Sequence, residues 1–372
     1  MSTTVVGSRT QYPHCPQELI DRILDEFYDS KADLLTCSLV SRFWLQRSRK
    51  HLFRSLFWRL QDNTVPRQSI TLPLRFSHWV QELFVDFADF ESHLVEEFLQ
   101  DSTFFKLRRL TLANASLVVP DLLHSCTLPM FLRQNPELEH VGFIRVTFAS
   151  LDQFIPPSGS GIKSLLLHSL EVEEVTEDFR GTTLPVYLES LDVFDVDPEV
   201  TDVLFLRSKS PFDLSKLKSL HLREDGHDAI LKRASLSLNK LFLFPPSQRL
   251  LSCLDLSLLH PRLLPNLIHL TIGANDFKYD AIPDMLTHFS SLLASSDLTF
   301  PHLGSLIMIV KMEPGYPRTA RKDDSVVEFL STACAVMPSL KRMALVLQLR
   351  GRCLDTFELK TEAGTQPCKG AN

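Results

Sequence analysis

The sequence predicts an α/β chain in two unequal parts: a short three-helix module, then a long solenoid with parallel strands on its concave face and helices and loops on its convex face. Two observations predict it. Residues 13–58 place apolar side chains at helical spacing behind helix-start signals. From about residue 79 onward one short apolar phrase recurs at intervals of 21 to 37 residues. The chain, at 372 residues, is also longer than a single hydrophobic core usually supports. The expected organisation is a flexible N-terminus at 1–12, the helical module at 13–58 and a connecting segment at 59–78. The solenoid follows at 79–350, with a C-terminal cap and frayed tail at 351–372.

The helices of the module follow from local rules. Leu19, Ile20, Ile23, Leu24 and Phe27 form one stripe of a first helix. Pro16 suits its first turn, and Glu18 and Asp21 lie where the helix dipole favours acids. Ser30 and Asp33 have capping-box-like spacing and open a second helix carrying Leu34, Leu35, Leu39 and Val40. A third is expected from about Ser41 through Trp44 to Leu52 and Phe53. Three short helices cannot bury so many large side chains among themselves, so the module must lean on a partner or on its own chain. It is therefore read as a docking surface, as an end cap of the solenoid, or as both.

The repeated phrase is apolar, two variable, apolar, one variable, apolar. It is clearest at Leu107–Leu112, Ile162–Leu167, Leu188–Val193, Leu217–Leu222, Leu238–Leu243 and Leu267–Ile272, with looser copies beginning at Val80, Leu138, Leu303 and Leu340. Leucine-rich repeats have a period of about 20 to 29 residues, so the middle of the array fits and the last copies carry insertions. The Asn or Cys that follows the phrase in regular repeats is mostly absent, which makes the array degenerate. A further match, Leu251–Leu256, falls between two starts and is assigned to the convex side. Segments 96–99, 284–286 and 326–330 are expected as short convex helices, and 156–161 as a flexible loop.

Because strand side chains alternate, the second and third apolar residues of each phrase point inward. The residue between them and the one after face the concave side. The first such row reads Phe84, Thr111, Gly142, Leu166, Asp192, His221, Phe242, Thr271, Ile307 and Ala344. The second reads Asp86, Ala113, Ile144, His168, Phe194, Arg223, Phe244, Gly273, Ile309 and Val346. The surface is apolar for an exposed face, with charge near Asp192, His221 and Arg223. Asp192, Phe194, His221, Arg223, Phe242 and Phe244 are the candidate target-binding residues. The plainer alternative is that the C-terminal segment folds back over part of it.

The first module resembles an F-box. The residues that carry the likeness are Cys15-Pro16-Gln17-Glu18-Leu19, Ile23-Leu24, Asp33-Leu34-Leu35, Leu39-Val40-Ser41-Arg42-Phe43-Trp44 and Leu52-Phe53. The pattern is most similar to the F-box-like proteins of mushroom-forming fungi, with Cys15 standing where the family has Leu. The resemblance implies docking on the Skp-type adaptor of a cullin-RING ubiquitin ligase. Pro16, Leu19, Ile20, Ile23, Leu34, Leu35, Leu39 and Val40 would supply apolar contact, and Leu24, Trp44, Leu52 and Phe53 the module's own core. It further implies that the chain is a substrate-recognition subunit; the alternative is a non-catalytic scaffold whose module acts outside a ligase or only caps the solenoid.

Composition bears on other functions. Lys+Arg number 39 against Asp+Glu 45, a net charge of −6 that gives no basis for expecting nucleic acid. The cluster Arg42, Arg47, Arg49, Lys50 and Arg54 reads as a solvated helix face. Seven scattered cysteines without a CxxC pair read as small buried residues of a reducing compartment. No signal peptide and no membrane-spanning run is seen, so a cytoplasmic or nuclear protein is expected. No nucleophile elbow, phosphate loop or zinc spacing occurs, and the acidic stretch from His221 to Asp228 reads as a solvated turn. The chain is expected not to be an enzyme and to need no cofactor or metal; nothing points to a homo-oligomer.

Overall fold

The three helices form where their start signals stand. In the computed structural model α1 (Gln17–Glu26), α2 (Lys31–Val40) and α3 (Arg42–Leu52) follow one another with almost no linker. The Ser30 hydroxyl accepts from the Asp33 amide and Ser41 accepts from the Trp44 amide, so each capping serine satisfies an otherwise orphaned donor. Residues 15–59, 77–87, 92–118, 127–157, 159–175, 184–223, 228–244, 264–277, 302–312, 339–349 and 352–360 are described. Ile20, Leu24 and Leu34 are the buried centre of the module, with Cys37, Trp44 and Leu52 packed against them. An ion pair ties α1 to α3: the Arg47 guanidinium donates twice to Asp25, at 2.8 and 2.6 Å, and His51 Nε2 lies 2.7 Å from the same carboxylate. The Arg47 bonds hold the Asp25 carboxyl below the usual range, against burial, with His51 adding to the effect. Arg47 is thus committed to a clamp rather than to solvent. Cys15, expected to be buried, is exposed.

The solenoid expectation continues as one large sheet. β1 (Ser55–Arg59) begins three residues after α3 and pairs in parallel with β2 (Glu82–Asp86). α4 (Ser92–Asp101) leads to β3 (Arg109–Leu117), and α5 (Thr127–Gln134) to β4 (His140–Ser150). β5 (Ser164–Glu174), β6 (Val186–Tyr187) and β7 (Ser190–Val196) follow, then α6 (Pro198–Thr201), β8 (Phe212–Asp213), β9 (Ser219–Leu222) and α7 (Asp228–Ala234). The remainder is β10 (Lys240–Leu243), β11 (His269–Phe277), β12 (Ser305–Met312), β13 (Arg342–Leu349) and β14 (Arg352–Lys360). Among the described residues twelve strands make one sheet in chain order, β6 and β8 forming a separate pair. All pair in parallel except β14, which runs back antiparallel to β13.

Each of the ten phrases becomes a strand that starts two residues after its first apolar position. The second apolar residues, Leu83, Leu110, Val141, Leu165, Leu191, Leu220, Leu241, Leu270, Leu306 and Met343, are register partners across the sheet, and all are buried. The core lies between this face and the connecting segments. Phe98 of α4 meets Trp58 and Phe87 edge-on, and Phe143, Phe148, Phe154, Phe212 and Phe205 form a further run of ring contacts.

Residues 55–58, read as the end of the module, belong to β1, which is already the first strand of the sheet. Its alternation of exposed and half-buried residues is a strand pattern that the neighbouring aromatic residues disguised. The C-terminal segment, insofar as 352–360 is described, extends the sheet edge rather than crossing its face. Segments 251–256, 284–286 and 326–330 lie outside the described residues; the helix expected at 96–99 is α4, and the loop at 156–161 turns through Gly159 at φ +79°.

One backbone feature has no counterpart in the phrase. Asn114, Arg145, Ser169 and Asp195 adopt φ of 52°, 53°, 51° and 55°. They occupy equivalent places in β3, β4, β5 and β7, directly after the second outer-face row. Each adds one residue to the alternation, so that Ala115, Val146, Leu170 and Val196 return to the core where strict alternation would turn them outward.

Phe143 is fully buried and meets both Phe148 and Phe154 edge-on, so Phe143→Ala is expected to lower the unfolding free energy by about 3–5 kcal/mol. Phe43→Ala, on the surface of the module, should change it by no more than about 0.5 kcal/mol. Urea unfolding of both variants checks this, and comparable losses would mean that the core is misplaced.

Candidate functional site

The strand pairings place the two outer-face rows as the alternation predicts. Phe84, Thr111, Gly142, Leu166, Asp192, His221, Phe242, Thr271, Ile307 and Ala344 are successive register partners. On the face opposite the core, β5, β7, β9 and β10 bring together a charged and aromatic cluster. Asp192 is its hub. Its Oδ1 lies 3.0 Å from His168 Nε2, and its Oδ2 lies 3.5 Å from both His221 Nδ1 and an Arg223 guanidinium nitrogen. The Asp192 side chain is only 15% exposed. Burial alone pushes its carboxyl up, but the bonds from His168 and His221 and the charge of Arg223 outweigh that. The group is held well below the usual carboxylate range.

Aromatic rings frame the cluster. His168 meets Phe194 edge-on at 5.8 Å between centroids, and Arg223 lies over the same ring at 5.9 Å. His221 and Phe242 are 3.9 Å apart. The Phe244 ring fills the space beside Gly273, where a Cβ would come within 1.9 Å of it. Glycine is therefore needed at 273 for Phe244 to lie across the next strand. All six candidate residues share this patch. His168, which belongs to the second row, was not singled out; the signal was its register position next to Asp192 on the neighbouring strand.

Nearer the first strands the same face carries a second polar network. Asp86, 4% exposed, receives Arg59 Nε at 2.9 Å and Asn114 Nδ2 at 2.6 Å, and Arg145 reaches Asn114 Oδ1 at 3.5 Å. A charge buried at an outer-face position is thereby bonded from both neighbouring strands. Among the described residues no group of three or more His, Cys, Asp or Glu is placed to hold a metal ion. No described helix is long and apolar enough to cross a membrane.

In the helical module the expected contact residues divide. Ile20 and Leu34 are buried in the module's own interior, a correction that follows from the closeness of three short helices, whose shared centre is Ile20 and Leu24 of α1 with Leu34 of α2. Leu24 is also central, and Trp44 and Leu52 pack beside it as expected. Phe53 is half-buried and stacks on Trp79, joining the module to the sheet side. Pro16, Leu19, Ile23, Leu35, Leu39 and Val40 are on the surface. Leu39 is 86% exposed, and Phe43 beside it 68%.

No protein-family model matches this chain, and no curated protein matches it in sequence.

Because its folded pKa lies below the unfolded value, the Asp192 carboxylate contributes its stabilisation in full above about pH 4 and loses it as the pH falls further. Asp192→Asn is therefore expected to cost about 1–3 kcal/mol near neutral pH. The gap to the unsubstituted protein should narrow in acid below about pH 4. Urea unfolding across that range measures it, and a gap independent of pH would show that the carboxylate charge contributes nothing.

Proposed function

We propose that the chain is a substrate-recognition subunit of an SCF-type cullin-RING ubiquitin ligase, acting in the cytoplasm or nucleus. In this reading α1, α2 and α3 are an F-box that docks on the Skp-type adaptor. The parallel sheet is the strand face of a right-handed leucine-rich-repeat solenoid that binds a target protein. The chain contributes proximity rather than chemistry, raising the effective concentration of target at the ligase.

The observation that carries the reading is the exposure of large apolar residues on the module. Leu19 and Ile23 stand one turn apart on α1, and Leu35 and Leu39 one turn apart on α2, with Val40 and Phe43 at the α2–α3 corner. So many exposed leucines in a module of this size mark a surface that a partner covers. The patch of Asp192, Phe194, His221, Arg223, Phe242 and Phe244 supports the second half, since aromatic rings and arginine are the residue types that concentrate binding energy at protein interfaces.

Two observations favour a second reading, a non-catalytic scaffold in which the module serves as the end cap of the sheet. β1 follows α3 without a linker, and Phe53 stacks on Trp79. Capping and docking use different residues, so the two readings separate experimentally.

Leu34 is a core residue and is left intact in the test. Leu35→Ala with Leu39→Ala should weaken binding to a purified Skp-type adaptor by about a hundredfold or more, at roughly 2 kcal/mol for each anchor residue, with the melting temperature unchanged. Calorimetric titration of the full chain measures it. Absence of adaptor binding by the unsubstituted chain would leave the scaffold reading, and binding unaffected by the double substitution would remove this surface from the interface.

A further inference from the structure

The outer face has a third row, formed by the first residue of each strand, and beside it a line of residues just before the strands. After Gln81 that line alternates in charge: Arg108, Glu139, Lys163, Glu189 and Lys218. Lys163 bonds Glu139 at 2.6 Å and Lys218 bonds Glu189 at 2.7 Å, each lysine neutralised by the carboxylate of the preceding repeat. After Lys218 the alternation ends. The next places are held by Asn239, Ile268, Gly304 and then Lys341, with no carboxylate among them.

A cavity of about 930 Å³ opens where the alternation stops. Its walls bring Lys341, Arg342, His269 and His302 together with the side-chain amides of Asn239 and Asn266. Among the described residues that line it none is acidic. Gly304 leaves the floor open, since the nearest atoms to a Cβ there would be 3.9 Å away, and Ile268 and Ile307 supply an apolar side. Lys240 stands beside His269 on the neighbouring strand, and neither Lys240 nor Lys341 forms an ion pair among the described residues.

We propose that this cavity binds a phosphate group, carried either by a small molecule or by a phosphorylated side chain. A phosphate presents oxygens in several directions at once, and donors here come from four successive repeats. The volume is within the range of ligand pockets and far exceeds one phosphate, so the group arrives attached to a body that rests on Ile268 and Ile307. The positive field is felt by the site's own histidine: burial and then the charge of Lys240 lower the pKa of His269. A bound anion offsets that charge and raises it. The smaller depression lower on the row, about 370 Å³, makes the contrast, because Lys163 and Lys218 in its wall already have carboxylate partners. The proposal stands independently of adaptor docking, which uses α1 and α2.

The test is calorimetric titration of the full chain, at fixed ionic strength, with inorganic phosphate, pyrophosphate and a phosphoserine peptide. At least one should bind. Tighter binding of the peptide assigns the phosphate to a protein, and tighter binding of pyrophosphate assigns it to a small molecule. Lys341→Ala should weaken the preferred probe by about tenfold and Lys341→Glu by about a hundredfold or more, whereas Lys163→Ala should leave it unchanged. Lys341 is exposed, so neither change disturbs the core. The His269 pKa followed by NMR should rise on binding. No binding by any probe, or equal loss with Lys163→Ala and Lys341→Ala, overturns the proposal.

Discussion

One column of inward side chains holds the sheet together, running from Leu83 through Leu165 and Leu220 to Met343 in unbroken register. A parallel strand that slipped by one residue would turn its whole apolar set outward, so this column fixes pairing at every junction. Each strand meets only its neighbours, so stability is shared out locally and no residue far along the chain can rescue a weak junction. The outer face inherits its geometry from the same column. Asp192, His221 and Phe242 are adjacent because Leu191, Leu220 and Leu241 are. The outer residues can change identity without altering the sheet, while the sheet dictates where they stand.

The four left-handed residues extend this economy to the longer strands. A non-glycine residue at positive φ costs on the order of 1–3 kcal/mol. In β3, β4 and β5 the phase change recovers pairs of inward positions, Ala115 with Leu117, Val146 with Phe148, and Leu170 with Val172. Burial of one large apolar side chain contributes about 1.5–3 kcal/mol, so two inward positions offset the strain where at least one is large. The returning position is apolar, and the strand continues into the core instead of turning away.

Most of the sheet was legible because its inward positions must be apolar in every repeat, and a fixed phrase survives in the letters. Ten strands follow from it. β1 was not, since Leu56, Phe57 and Trp58 read equally well as the end of the helical module, and only pairing with β2 decides. Nor were the left-handed positions: Asn114 and Asp195 are residue types that tolerate them, Arg145 and Ser169 are not. On the module, helical spacing located the apolar stripes but could not divide them, because Ile20 and Leu34 go inward only when three helices meet. The cluster around Asp192 was readable from register alone. The basic cavity was not, since Lys341 and Asn239 lie about a hundred residues apart and acquire meaning only where a pattern of ion pairs breaks off.

The direct passage from α3 into β1 has a mechanical consequence. Where a binding module hangs on a flexible tether, the reach of the assembly is a distribution and partners of many sizes can be accommodated. Here the helices continue into the first strand, and the strand into a ladder of hydrogen bonds. A molecule on α1 and α2 and another on the outer face would be linked through this continuous run of helix, strand and ladder. Their separation and relative orientation would be set by which strands the second molecule grips. Moving the grip by one repeat would shift it by a single strand spacing, about 4.7–4.9 Å.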